Sequence, residues 1–327
     1  MKNETLIRGS KLPWTETAIK LDTNTNSSAY IADQCNTHWE VASDPMYTDH
    51  HHQIPGYWTV YRTDNMELLG TVVRQCISQT QNAEAFELLM PLITDNVAHC
   101  EYAGQLSPTQ TFVVIKFNES YKLSQLPDDD VDLYVVAIND HLKPDGCVLL
   151  LNVPVIRRFN ICATALLSKN LYKYRMFAPP VAANCRDQAF KIQTNAENCI
   201  YYLNNQLEKL INAKLTEEDL CSILDELFPT PPTNLLEANI VSAENKLEEI
   251  TMLRQTFNEE CFQPTMHEPN DCRDLYIACA DYDQHYFKKL ENAYSLNYRM
   301  RVLPGWTNDA GAYITDKTLK LMQKHLK

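Results

Sequence analysis

The spacing of apolar residues changes once along this chain, near residue 160. Before that point the apolar positions come in β-branched and aromatic runs, at residues 57–63, 68–76, 98–106, 112–117, 131–138 and 147–156. Runs of this length and composition predict strands. The links between several of them are turn chemistry: Asp64-Asn65-Met66-Glu67, Ser107-Pro108-Thr109 and Pro144-Asp145-Gly146. Short links of this kind join antiparallel neighbours. One helix interrupts the series. Over residues 81–93, Ala85, Leu88, Leu89 and Leu92 fall at helical spacing, with Asn82 placed to cap and Glu84 in the first turn.

After residue 160 the period becomes helical. The spacing predicts helices over 160–174 and 187–213, the second with Ile192, Ala196, Cys199, Ile200, Leu203, Leu207 and Leu210 on one face. Thr216-Glu217-Glu218-Asp219 is a capping-box start for a further helix that ends before Pro229, and Pro231-Pro232 breaks the chain there. Residues 234–257 and 271–292 add two more helices, and 303–327 hold a turn and a short last helix. The pattern predicts an α+β fold: an antiparallel sheet of about six strands with an inserted helix, followed by a mainly helical C-terminal half. Three regions follow: a polar, flexible arm over 1–37 pinned by Trp14, a sheet-rich domain over 38–185, and a helical region over 186–327 packed on it.

Charge sharpens the picture. The net charge of −13 rules out attraction to nucleic acid by overall charge, so any such site has to be a local basic patch. One stretch qualifies. From Gly146 to Arg186 there is no acidic residue, while Arg157, Arg158, Lys169, Lys173, Arg175 and Arg186 all lie there, interleaved with Tyr172 and Tyr174. Cations that hold phosphates beside rings that stack on bases suit single-stranded nucleic acid. The predicted binding residues are Arg157, Arg158, Lys169, Tyr172, Lys173, Tyr174 and Arg175. The competing reading packs the two tyrosines into the core and pairs the cations with acids. A second stretch, from Lys288-Lys289 through Tyr294 and Tyr298 to Arg299 and Arg301, has the same character, whereas 215–274 is acidic.

Catalytic and metal chemistry is less legible. The sequence has no phosphate loop, dinucleotide fingerprint, Gly-x-Ser-x-Gly or His-Glu-x-x-His motif. His50-His51-His52 and Asp128-Asp129-Asp130 are the metal candidates, but loop and turn roles fit both better. Asn139-Asp140-His141 follows a strand, where loops often carry function, and His141 is the general-base candidate there. The 11 cysteines contain no Cys-x-x-Cys pair, and the first ten residues are polar and charged. No apolar run reaches the roughly 20 residues of a membrane span. The cysteines therefore read as reduced, buried side chains of a cytoplasmic protein that uses no cofactor.

The order of several short motifs resembles the phage/plasmid-like proteins of the Domain of Unknown Function 932 family. The motifs are Trp39-Glu40-Val41, Tyr61-Arg62-Thr63-Asp64, Leu69-Gly70-Thr71-Val72, Gln81 to Phe86, Ala103 to Leu106, Asn139-Asp140-His141 with Asp145-Gly146, and Pro154-Val155. Leu215 to Glu218, Leu224 to Pro229, and Asp274 to Ala280 with Tyr282 and His285 continue it. The chain departs from the family after Pro154-Val155, where Arg157 to Cys162 stand in a different order. The resemblance implies a phage, plasmid or prophage origin, in a host-cell cytoplasm, and no agreed activity. Together with the basic stretch it gives the leading expectation: a non-enzymatic, oligomeric single-stranded DNA-binding protein associated with annealing or recombination. The alternative is a phage structural or host-interaction protein acting through the acidic helical half, without nucleic acid.

Overall fold

A computed structural model describes residues 12–15, 18–22, 27–73, 79–124, 126, 129–143, 146–177, 185–237, 241–263, 271–286 and 313–325. The fold is α+β, with a curled antiparallel sheet and a mainly helical C-terminal half. Four long strands form the body of the sheet: β5 (Ala98–Ser107), β6 (Gln110–Phe117), β8 (Asp130–Asp140) and β9 (Cys147–Ile156), each antiparallel to the next. The short strand β1 (Ala18–Lys20) pairs with β5 at one edge. At the other edge β10 (Ile161–Cys162) and β11 (Lys173–Phe177) both pair with β9, one at each end of it. A two-residue strand, β7 (Tyr121–Lys122), pairs with the start of β8.

The first two predicted strands belong elsewhere. They are β3 (Gln53–Arg62) and β4 (Leu68–Val73), and with β2 (Val41–Tyr47) they make a separate three-stranded antiparallel sheet. Its small core is Trp39, Val41, Val60 and Val72, with Trp58, Leu69 and Leu142 packed against it. Gly70 allows the close approach of this sheet to Leu142, because a Cβ there would lie 2.8 Å from a Leu142 methyl.

Alternation along the strands of the main sheet builds two cores, one on each face. Val113, Ile115, Leu133, Val135, Val148 and Leu150 face the larger one, which the helices cover. Chief among these is α5 (Cys185–Asn212), whose Ala189, Ile192, Ala196, Cys199, Leu203 and Leu207 are buried. Phe112, Val114, Tyr134, Val136, Leu151 and Val153 face the second core, which Leu12 and Trp14 close. Trp14 is fully buried, with its ring 5.2 Å from that of Tyr134. Within the stretch expected to be a flexible arm, β1 and α1 (Ser28–Gln34) are therefore ordered elements. Burial of Trp14, Ile31 and Ala32 is the physical reason.

Two predicted helices are corrected. Residues 81–93 form α2 (Asn82–Glu87) and α3 (Met90–Thr94), since Pro91 has no N–H to continue a single helix. The cap of α2 is Gln81, whose backbone N–H donates to the Glu84 carboxylate at 2.9 Å. Residues 160–174 form β10, a 3-10 turn (Thr164–Leu166), α4 (Lys169–Tyr172) and the first two residues of β11. The open edge of β9 offers Leu149 and Leu151 backbone partners that a helix would forgo.

The stretch 234–257, read as one helix, holds two elements, α7 (Thr233–Glu237) and α8 (Val241–Thr256). The remaining helices, α6 (Glu217–Leu227), α9 (Cys272–Asp281) and α10 (Tyr313–His325), lie within their predicted stretches. Thr216 caps α6 as expected, accepting from the Asp219 N–H at 3.1 Å. Helices α8 and α9 run on as π-helical segments, Phe257–Phe262 and Tyr282–Tyr286. These bring Phe228, Phe257 and Tyr282 into a buried ring triad with centroids 5.7 to 5.8 Å apart.

Candidate nucleic-acid interface

The predicted binding residues do not form one patch. Arg157 follows the end of β9, and its guanidinium is committed to carboxylates. It reaches Asp132 Oδ1 at 2.5 Å, Asp130 Oδ2 at 3.2 Å and Ser120 Oγ at 2.6 Å. Lys116 Nζ donates to the same Asp132 at 2.7 Å. Burial raises the Asp132 carboxyl, but hydrogen bonds from Arg157, Lys116 and Ser120 more than offset this, holding it below its usual range. Arg157 thus neutralises a buried acid. The next residue, Arg158, lies over the Phe159 ring at 5.1 Å. Lys169 is in α4.

Strand β11 sorts the other predicted residues by alternation. Tyr174 and Met176 pair with Leu150 and Val148 and share their face, packing against the larger core. The Tyr174 hydroxyl is buried, which pushes its pKa up. A ring held there is not available to stack on a base. Tyr172, just before the strand, packs against the second core. Lys173, Arg175 and Phe177 pair with Leu151, Leu149 and Cys147 on the opposite face, at the rim of the sheet. Lys173 is half-buried and Arg175 is exposed. Phe177 is 67% exposed.

Sequence reading missed Phe177. The signal for it is the period of two in Lys173-Tyr174-Arg175-Met176-Phe177, which a helical reading of the stretch hides. From Leu149, opposite Arg175, to Ile156, next to Arg157, is seven residues of strand, or about 23 Å. The basic stretch therefore runs along one edge of the sheet as two groups. Arg186 is exposed at the start of α5. The second basic stretch, from Lys288 to Arg301, lies outside the described residues.

The chemical candidates are placed as follows. His50-His51-His52 is exposed at the tip of the β2–β3 hairpin, with His51 at φ 60°. Asp130 pairs with Arg157, and Asp128 is outside the described residues. No group of three or more metal-ligating side chains occurs among the described residues.

Asn139 and His141 converge on a buried hub, Asn82. Its amide nitrogen donates to the Thr37 carbonyl at 2.9 Å, which fixes the amide orientation. Its Oδ1 accepts from Thr111 Oγ1 at 2.7 Å and Asn139 Nδ2 at 3.1 Å, and lies 3.0 Å from His141 Nε2. An amide oxygen only accepts, so the proton of neutral His141 is on Nε2. Asp140 points elsewhere, accepting from Gln110 Nε2 and the Leu142 N–H. Burial pushes His141 down to about 4, against a smaller upward pull from Asp140. The His141 ring stacks obliquely on Trp39, centroids 5.1 Å apart, and the Arg62 guanidinium covers Trp39 at 4.7 Å. This network joins the small sheet to the large one.

No family model, no curated protein and no solved structure matches the chain. Among the described residues no helix is long and apolar enough to cross a membrane.

Proposed function

We propose that this protein binds single-stranded nucleic acid through the rim formed by Lys173, Arg175 and Phe177, and that it acts by holding the strand, as in annealing or recombination. The observation that carries the reading is the alternation on β11, which sets two cations and a two-thirds-exposed ring side by side on one face. The cations attract phosphates and the ring offers a base-stacking surface. Arg158, half-buried beyond the far end of β9, is the candidate for another phosphate. A phage or plasmid origin is part of this proposal and rests on the motif order alone.

Fluorescence anisotropy with labelled oligothymidine, single-stranded against duplex and across a salt series, is the test. Three phosphate contacts give a log–log salt slope of about −2. Phe177→Ala is expected to weaken binding by about 1–3 kcal/mol. Arg175→Glu is expected to weaken it and flatten the salt slope. Full affinity in both variants would sink the proposal. The second reading, a basic protein partner, is favoured by the exposed acids Glu217, Glu218, Glu244 and Glu248 on α6 and α8. Capture of such a partner by a chain with no affinity for oligothymidine at low salt would replace the first reading.

A further inference from the structure

The outward side of α8 carries a stripe that fits the β11 rim. Glu244, Glu248 and Met252 stand four residues apart and are all exposed, Met252 at 67%. Four residues of helix advance about 6.0 Å. On β11, Lys173, Arg175 and Phe177 stand two residues apart, about 6.6 Å of strand. Laid side by side, Lys173 meets Glu244, Arg175 meets Glu248 and Phe177 meets Met252. Each cation faces an acid, and each ladder ends in a large exposed apolar side chain.

Within the chain α8 packs on α7 and the π-helical segment that follows it. We infer that its outward stripe docks on the β11 rim of a second copy of this chain. The two patches differ, so the contact is head-to-tail and each copy keeps one free patch, which lets assembly continue beyond a dimer. The pairing rests on charge and spacing and stands whether or not nucleic acid binds. Nucleic acid, if bound at the same rim, competes with α8 for it.

The experiment uses nuclease-treated, full-length protein. Sedimentation velocity and light scattering follow mass against concentration at low and at high salt. The wild type is expected to form species heavier than 37.6 kDa at low salt and to dissociate at high salt. Arg175→Glu and Glu248→Arg each place like charges in the contact, and each alone is expected to weaken association about tenfold or more. An equimolar mixture of the two variants restores opposite charges where the two reversed residues meet, and so regains assembly that neither variant shows alone. Glu248 lies on an exposed helical face, so that variant keeps its fold, which circular dichroism checks. A wild type that stays at 37.6 kDa at low salt overturns the inference. So do single variants that assemble like the wild type, or a mixture that stays as dissociated as its components.

Discussion

Replacement of His141 by glutamine isolates a pH dependence built into the junction of the two sheets. The neutral ring is buried and gives its Nε2 proton to the Asn82 carbonyl oxygen. Its folded pKa is about 4, against 6.5 for an ordinary histidine. A base whose folded pKa is depressed binds fewer protons when folded than when unfolded. Stability from this site is therefore complete above pH 6.5 and is lost as pH falls toward 4. Below that both states are protonated and the loss stops growing. Between pH 7 and pH 5 the expected loss is about 2 kcal/mol, out of about 3 kcal/mol over the whole window. The glutamine of the His141→Gln variant carries an amide donor near the position of Nε2 and does not titrate. Urea unfolding of both proteins at the two pH values isolates the contribution, because every other titrating group is shared. The wild type should lose about 2 kcal/mol more than His141→Gln on going to pH 5. Equal losses would mean that His141 is solvated or already charged in the folded protein, and would refute the buried hub.

Other perturbations probe the remaining parts. Trp14→Ala opens the second core and is expected to cost about 3–5 kcal/mol, read as a lowered urea midpoint. Unchanged stability would mean that the N-terminal segment does not close that core. Arg157→Glu sets a third carboxylate beside Asp130 and Asp132, and a loss of about 2 kcal/mol or more is expected. Charge reversal at Arg157 therefore disturbs the fold as well as removing a cation, because Asp130 and Asp132 lose their partner. The same variant measured by anisotropy separates the two roles, since the Phe177 rim should still bind oligothymidine once the protein is folded.

Sequence by itself determined whatever depends on neighbours along the chain. Strand runs at 98–106, 112–117, 131–138 and 147–156 became β5, β6, β8 and β9, because period two and turn residues are local signals. Thr216 and Asp219 announced α6 for the same reason, as reciprocal capping needs only four residues. The α+β class followed from the single change of period. Tertiary structure decided what depends on partners distant in sequence. Asn82 reads as a helix cap until Thr37, Thr111, Asn139 and His141 are brought around it. Arg157 reads as a free cation until β8 places Asp130 and Asp132 beside it. Residues 173–177 carry no decisive local preference. Pairing with β9 makes them a strand, and the pleat then turns Tyr174 onto the larger core and leaves Arg175 and Phe177 exposed. Which side chains reach the surface is settled by the partner strand, because its hydrogen bonds fix the register and the register fixes the face.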